Sequence, residues 1–326
     1  MASPAANCSV RALVVCALAA FALCAPAQDY PNKSIRLIVP FGAGGPRDIQ
    51  ARLIGAHLAK VWGQTLIIDN RGGANGIIGS ELAAHADADG YTLLMISAGF
   101  AVNATLYPKL PYDSLRDFTP VSPLSSGPGM VVVTPSLPVT SIAGLIDAAR
   151  SHRVELLFAS AGTGSPSHLA GELFKLMTHI EMTHVPYKGM AAGLTDVIAA
   201  RVPMSIPTIP GALPFVKSGR LRALAVTGAQ RSPAAPDIPT VAESGVPGYA
   251  ASNWYGIAVP ARTPVPIVTK LNAQLAQALR DADTRARMLE IGLDAETAAP
   301  AQFAAFVKAE IAKWAKVVKA TGLKPE

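Results

Sequence analysis

Residues 35–61 read IRLIVPFGAGGPRDIQARLIGAHLAKV, and this stretch decides the fold. The opening IRLIV (Ile35–Val39) is a short apolar, β-branched run closed by Pro40, the pattern of a buried strand. Three glycines follow within seven residues, and a helical pattern then runs from about Arg47 to Val61. Strand, glycine-rich turn and helix in such short order form the opening step of an α/β protein.

The same step recurs on either side of the chain's middle. Leu66–Asp69 predicts a strand, Asn70–Gly76 a glycine-rich turn, and Ile77–Ala86 a helix. Asp89-Gly90 marks a turn before the strand Tyr91–Ile96. Further strands are expected at Met130–Val133, Leu156–Ala159, Met182–Pro186, Leu221–Thr227 and Ser252–Val259. Helices are expected from the cap Ser141 to Ser151, from Pro166 to Met177, and from Gly193 to Arg201. Two more close the chain, Pro266–Ala282 and Pro300–Thr321. The last places Phe303, Phe306, Val307, Ile311, Trp314 and Val318 on one face. The proline- and glycine-rich segment Gln230–Tyr249 is expected to run over the surface.

A chain of 326 residues is long enough for two packed cores. An α/β pattern that leaves and then returns suggests a discontinuous first lobe, 28–127 plus 251–326, with a second lobe at 128–250. Half the residues are hydrophobic and 15% are charged, which argues against disorder. The formal charge is +6, but the basic residues are scattered without a run of five, so no nucleic-acid partner is expected.

Arg11 is the only charge in the first 28 residues, and the apolar run Ala12–Leu23 leads to Ala25-Pro26-Ala27. A basic start, a short apolar run and an A-x-A site predict a secretory signal peptide at 1–27, hence a periplasmic protein. All three cysteines, Cys8, Cys16 and Cys24, fall inside it, so the mature chain would hold no thiol and no disulfide. A lipid anchor at Cys24 is disfavoured by the bulky Leu23 before it.

Three loops at the carboxyl ends of strands carry the candidate chemistry. Backbone N–H groups of Phe41, Gly42, Ala43, Gly44 and Gly45, with Asp48 just inside the helix, could hold an anion; the alternative is a purely structural turn. The spacing is neither a Walker loop nor a dinucleotide fingerprint. Ser97-Ala98-Gly99 is the second loop. Ser160, Gly162, Thr163 and Ser165 form the third, where Ser165 also reads as an N-cap before Pro166. Open α/β sheets bind ligands at such strand ends. The six histidines show no metal-ligand spacing, and no serine sits in a G-x-S-x-G elbow, so no catalytic residue, metal or cofactor is expected. A secreted hydrolase using Ser165 would need an oriented base that the sequence does not offer.

Together these segments resemble the Bug family, the TctC-like receptors of tripartite tricarboxylate transporters. The matching stretches are YPNKSIRLIVPFGAGGPRD, DNRGGANGIIGSELAAHADADGYTLL, LYPKLPYDSLRDFTPVS, SAGTGSPSHLAGELFK, HVPYKG, LRALAVT and DIPTVAESGVPGY, in family order over nearly the whole mature chain. The resemblance implies a two-lobed periplasmic binding fold of type II-like architecture, a mixed sheet in each lobe and a ligand cleft that closes like a flytrap. It also implies a small carboxylate ligand, held by the Phe41–Asp48 loop and by the loops at Ser97–Gly99 and Ser160–Ser165. Delivery to a membrane permease follows, or to a sensor protein, with a monomer expected. Two departures stand out. Arg47 occupies a place where the family carries a small hydroxyl residue. In the segment Met204–Pro214, which includes the candidate Thr208, Pro207 stands where an aspartate is common, making an amino-acid ligand less expected.

Overall fold

The IRLIV run forms β1 (Ile35–Val39), buried along almost its whole length. It leads into α1 (Pro46–Trp62), which packs Ile54 and Leu58 inward. The computed structural model describes residues 30–44, 46–151, 155–187 and 189–324, so the expected signal peptide and Gly45 lie outside the described residues. β2 (Leu66–Asn70) and β3 (Thr92–Ser97) flank β1, both parallel to it, with α2 (Ile77–Ala84) between them in sequence.

Lys33–Glu326 form one unit, and it contains two sheets. The first sheet adds β4 (Phe118–Pro128), β10 (Ser252–Pro260) and β11 (Asp294–Ala295), giving the order β11-β4-β10-β3-β1-β2. β10 runs antiparallel to both β3 and β4. The second sheet has the order β7-β6-β8-β5-β9, from β5 (Met130–Val133), β6 (Leu157–Ser160), β7 (Thr183–Pro186), β8 (Met204–Ser205) and β9 (Arg222–Val226). Both sheets are therefore mixed and flanked by helices, as expected.

Period-two alternation on β5 splits the interior in two. Val131 and Val133 join a core that runs through Phe158 and Phe174 to Trp254, Phe303 and Trp314. Met130 and Val132 face a smaller cluster with Leu194, Val197 and Val226.

The chain crosses between the sheets twice, and the crossings lie side by side. One passes from β4 to β5 through Gly129, and the other from β9 to β10 through Thr227–Ala251. The Gly129 N–H donates to Thr227 Oγ1 at 2.7 Å, and the same hydroxyl donates to the Ala251 carbonyl at 2.8 Å. The Thr227 N–H in turn donates to the Gly129 carbonyl at 2.9 Å. A Cβ on Gly129 would meet Ile206 Cγ2 at 2.9 Å and the Pro207 carbonyl at 3.1 Å, so no larger residue fits.

The segment Gln230–Tyr249 does run over the surface, with Pro233, Pro236, Gly245, Pro247 and Gly248 exposed, but it is pinned by buried anchors: Thr240, Val241, Val246 and Tyr249 point inward, and the Tyr249 hydroxyl donates to the Ala170 carbonyl at 2.9 Å. Two expectations need correction. Phe306 is 41% exposed on α10 (Pro300–Thr321), stacking on Phe303 rather than entering the core with it. Ala98 and Gly99 are not loop residues but the first turn of α3 (Ala98–Leu106), for which Ser97 is the N-cap.

Candidate functional site

The carboxyl ends of β1, β3 and β6 converge on a cavity of about 500 Å³. From the first sheet come Phe41 and Arg47, Ala74 and Asn75, and Ala98 and Gly99. From the second come Thr163, Gly164, Ser165 and Pro166, with Lys324 completing the rim. Pro166 also borders a smaller cavity of about 140 Å³, lined by Gly129, Pro207, Thr208, Thr227 and Asn253. Two cations and no carboxylate line the larger cavity, so its charge favours an anion.

Of the residues selected from sequence, Phe41, Ala98, Gly99, Thr163 and Ser165 line the larger cavity, and Thr208 lines the smaller. Gly42, Ala43 and Gly44 are exposed on the loop beside it, and Gly45 lies outside the described residues. Asp48, Ser97, Ser160 and Gly162 stand behind the lining. Sequence reasoning did not select Asn75, Asn253, Tyr255 or Lys324. Asn75 had a signal: the Asn-Gly pair in a glycine-rich turn fits its left-handed backbone, φ 51°.

The first loop is supported from beneath. Gly76, at φ 87°, leaves space that a Cβ would fill only by coming within 3.4 Å of the Phe41 ring. The Asp48 carboxylate accepts from the Gly44 N–H at 3.0 Å and from Arg52 Nε at 3.0 Å. The Arg52 guanidinium holds that carboxyl below its ordinary range. Asp48 thus braces its own loop. Arg47 has no such engagement. Its guanidinium carbon sits 3.3 Å from the Phe41 ring centroid and 5.3 Å from that of Tyr255. Burial pushes the Arg47 guanidinium down from its ordinary value, with the Tyr255 hydroxyl opposing. An arginine remains charged all the same. Its Nε is buried without a hydrogen-bond partner.

The third loop is knitted to itself. Ser160, fully buried, shares a 2.6 Å hydrogen bond with His184 Nε2 and accepts from the Gly162 N–H at 3.0 Å. Ser167 Oγ accepts from the Ala161 N–H at 3.0 Å. Ser165 Oγ accepts from the His168 N–H at 3.3 Å, capping α5 (Pro166–Thr178). His168 Nδ1 accepts from the Gly164 N–H at 3.0 Å, so its proton sits on Nε2, 3.6 Å from Glu172 Oε1. The two histidine rings stack with centroids 3.7 Å apart. Burial, with the neighbouring His168, lowers His184 to about 4. Thr163 is the exception: among the described residues neither its N–H nor its hydroxyl has a partner, and the residue lines the cavity.

Among the described residues no group of His, Cys, Asp and Glu could hold a metal ion, and no helix is long and apolar enough to cross a membrane.

Two sheets of this topology, with strand-end loops meeting over a cavity, define a periplasmic-binding-protein fold. Solved structures carry the same architecture at similar sequence. A Rhodopseudomonas palustris protein, Rpa4515, determined with adipate, is 42% identical, covering 91% of this chain and all of its own, with a TM-score of 0.73. MatC from the same organism, with bound malate, is 34% identical over 89% of this chain and all of its own, TM-score 0.69. The periplasmic binding protein BugD is 31% identical over 91% of this chain and all of its own, TM-score 0.70. The family profile of the tripartite tricarboxylate transporter family receptor, TctC, matches residues 50–323. The chain belongs to this family of TctC/Bug solute-binding receptors.

Proposed function

We propose that this protein captures a small carboxylate, a di- or tricarboxylate or an aromatic acid, in the cavity beneath Phe41, Gly99 and Thr163 and presents it to a tripartite tricarboxylate-type transporter. The observation that carries this reading is the lining: two cations, no acids, and an unengaged amide and hydroxyl on Thr163. Adipate in Rpa4515 and malate in MatC, both relatives above 30% identity, support the ligand class. The lobes are 28–127 plus 251–326 and 128–250, a division that the membership of the two sheets favours. Residues 1–27 direct export to the periplasm and are removed, leaving a monomer that works without cofactor.

The chemistry of the cavity favours binding over turnover. Ser160 is sealed beneath the loop, and the Ser165 hydroxyl already caps a helix, so neither meets the needs of an exposed nucleophile with an oriented base. The test is a thermal-shift screen of the mature chain, stripped of co-purified ligand, against small carboxylates. A binder at about 100 times its dissociation constant should add about 2.7 kcal/mol of stability. Silence across succinate, malate, citrate, adipate, benzoate and terephthalate would overturn the carboxylate reading.

A further inference from the structure

Arg47 is a cation with the neutral Tyr255 hydroxyl beside it and, among the described residues, no carboxylate to pair with. Its guanidinium lies against Phe41 at 3.3 Å, which fixes its plane and uses one of its faces. Nε is buried and unpartnered. The adjacent carboxylate, Asp48, is turned to Gly44 and Arg52 instead. Among the described residues no carboxylate lies within ion-pair distance of Arg47, and none lines the cavity it borders. A mostly buried guanidinium without an anion is costly, and a ligand carboxylate is the group that best repairs it, because two parallel N–H donors match two oxygens.

The placement of Arg47 gives it a task separate from that of Thr163. Arg47 lines the cavity from the first sheet's side, and Thr163, whose amide and hydroxyl have no partner among the described residues, lines it from the second's. Tyr255 connects Arg47 to Asn253 on the smaller cavity through a short Asn253–Tyr255 hydrogen bond. Asn253 Oδ1 is itself buried and unpartnered, so polar capacity continues past the guanidinium.

We infer that Arg47 makes this a site for dianions: it takes the second acidic group of a ligand whose first is held at the Thr163 loop. This rests on the carboxylate reading and narrows it. An acid lacking the second group should enter the same cavity and leave Arg47 unpaired.

The test is isothermal titration of the mature chain with matched pairs that differ by one carboxylate: succinate and butyrate, adipate and hexanoate, terephthalate and benzoate. In at least one pair the diacid should bind roughly 10- to 100-fold more tightly, as expected for a charge-assisted contact in a protected site. Arg47→Met should erase that ratio mainly by weakening the diacid, while the monoacid changes less than about threefold. Arg47→Lys, which keeps charge but not the planar fork, should fall between the two. A wild-type ratio below about threefold in every pair that binds overturns the inference without recourse to a variant. So does an Arg47→Met protein, folded by circular dichroism, that keeps the wild-type ratio. Absence of binding by all six acids, and by malate and citrate in the thermal-shift screen, overturns the carboxylate reading itself and the inference with it, an outcome distinct from binding without discrimination.

Discussion

The loop after β1 and the loop after β6 occupy equivalent places, each ending a strand, opening a helix and facing the same cavity, yet they are built on opposite plans. Around β6 the hydroxyls of Ser160, Ser165 and Ser167 and the ring of His168 are committed to the loop's own backbone. After β1 Gly42 and Gly44 are exposed, one carboxylate braces the turn, and Arg47 has no carboxylate partner among the described residues. A short polar-rich sequence can thus be mainly scaffold, whereas a glycine-rich one can carry a charge that nothing in the protein answers. The first plan fixes a shape and leaves Thr163 to meet a ligand. The second supplies charge on a backbone with few internal constraints.

The contrast can be broken most directly at Ser160. Ser160→Ala would strand the part-buried Gly162 N–H and His184 Nε2 and is expected to cost about 1–3 kcal/mol in urea unfolding. Thr163→Ala, at a lining residue without an internal hydrogen bond among the described residues, should stay within about 0.5 kcal/mol while weakening carboxylate binding. Equal stability in the two variants would mean that Ser160 is not scaffold.

Acid sharpens the comparison next. His184 titrates at about 4 in the folded chain against 6.5 for an ordinary histidine. The unfolded chain therefore takes up the proton first as pH falls, and the His184 contribution, complete above about 6.5, is lost between 6.5 and 4. Melting temperatures followed through that window should drop, and the drop should shrink in His184→Gln. The smallest effect belongs to the first loop. A Cβ on Gly42 meets nothing within 4 Å and its φ is not positive, so Gly42→Ala should change stability by less than about 0.5 kcal/mol.

The alternation of strands and helices made most of the architecture legible. Met130–Val133 and Pro300–Thr321 occur as the sequence predicts, the first because MVVV is an uninterrupted apolar, largely β-branched run between Gly129 and Thr134, the second because a helical apolar period follows a proline at its start. β4 was invisible. Its sequence FTPVSPLSSGP carries three prolines and no alternation, and register shifts opposite Tyr255–Gly256 and Ile257–Ala258 accommodate it against β10. The short helices α7 (Ile209–Lys217) and α9 (Ala282–Glu290) escaped for a similar reason, the first holding two prolines and the second a polar surface. In the site, strand-end loops could be located, but the direction of each side chain could not. Ser165 and Thr163 differ little as letters. Only folded geometry separates a hydroxyl that caps a helix from one that faces a cavity. Asn253 and Tyr255 come from β10, which begins at Ser252, far along the chain from β1 at Ile35–Val39, and no local pattern links them to Arg47.

The lacing at Gly129 and Thr227 makes two crossings of the polypeptide behave as a single spine. Connections set far apart would resist rotation in every direction, whereas a pair hydrogen-bonded edge to edge leaves one soft axis. The shared core from Phe158 and Phe174 to Trp254, Phe303 and Trp314 also ties the two sheets together, so any opening of one sheet against the other would have to bend the backbone at these crossings and yield at that core. Substitutions at Gly129 or Thr227, which stand outside the lining of the larger cavity, are expected to change how readily it does so.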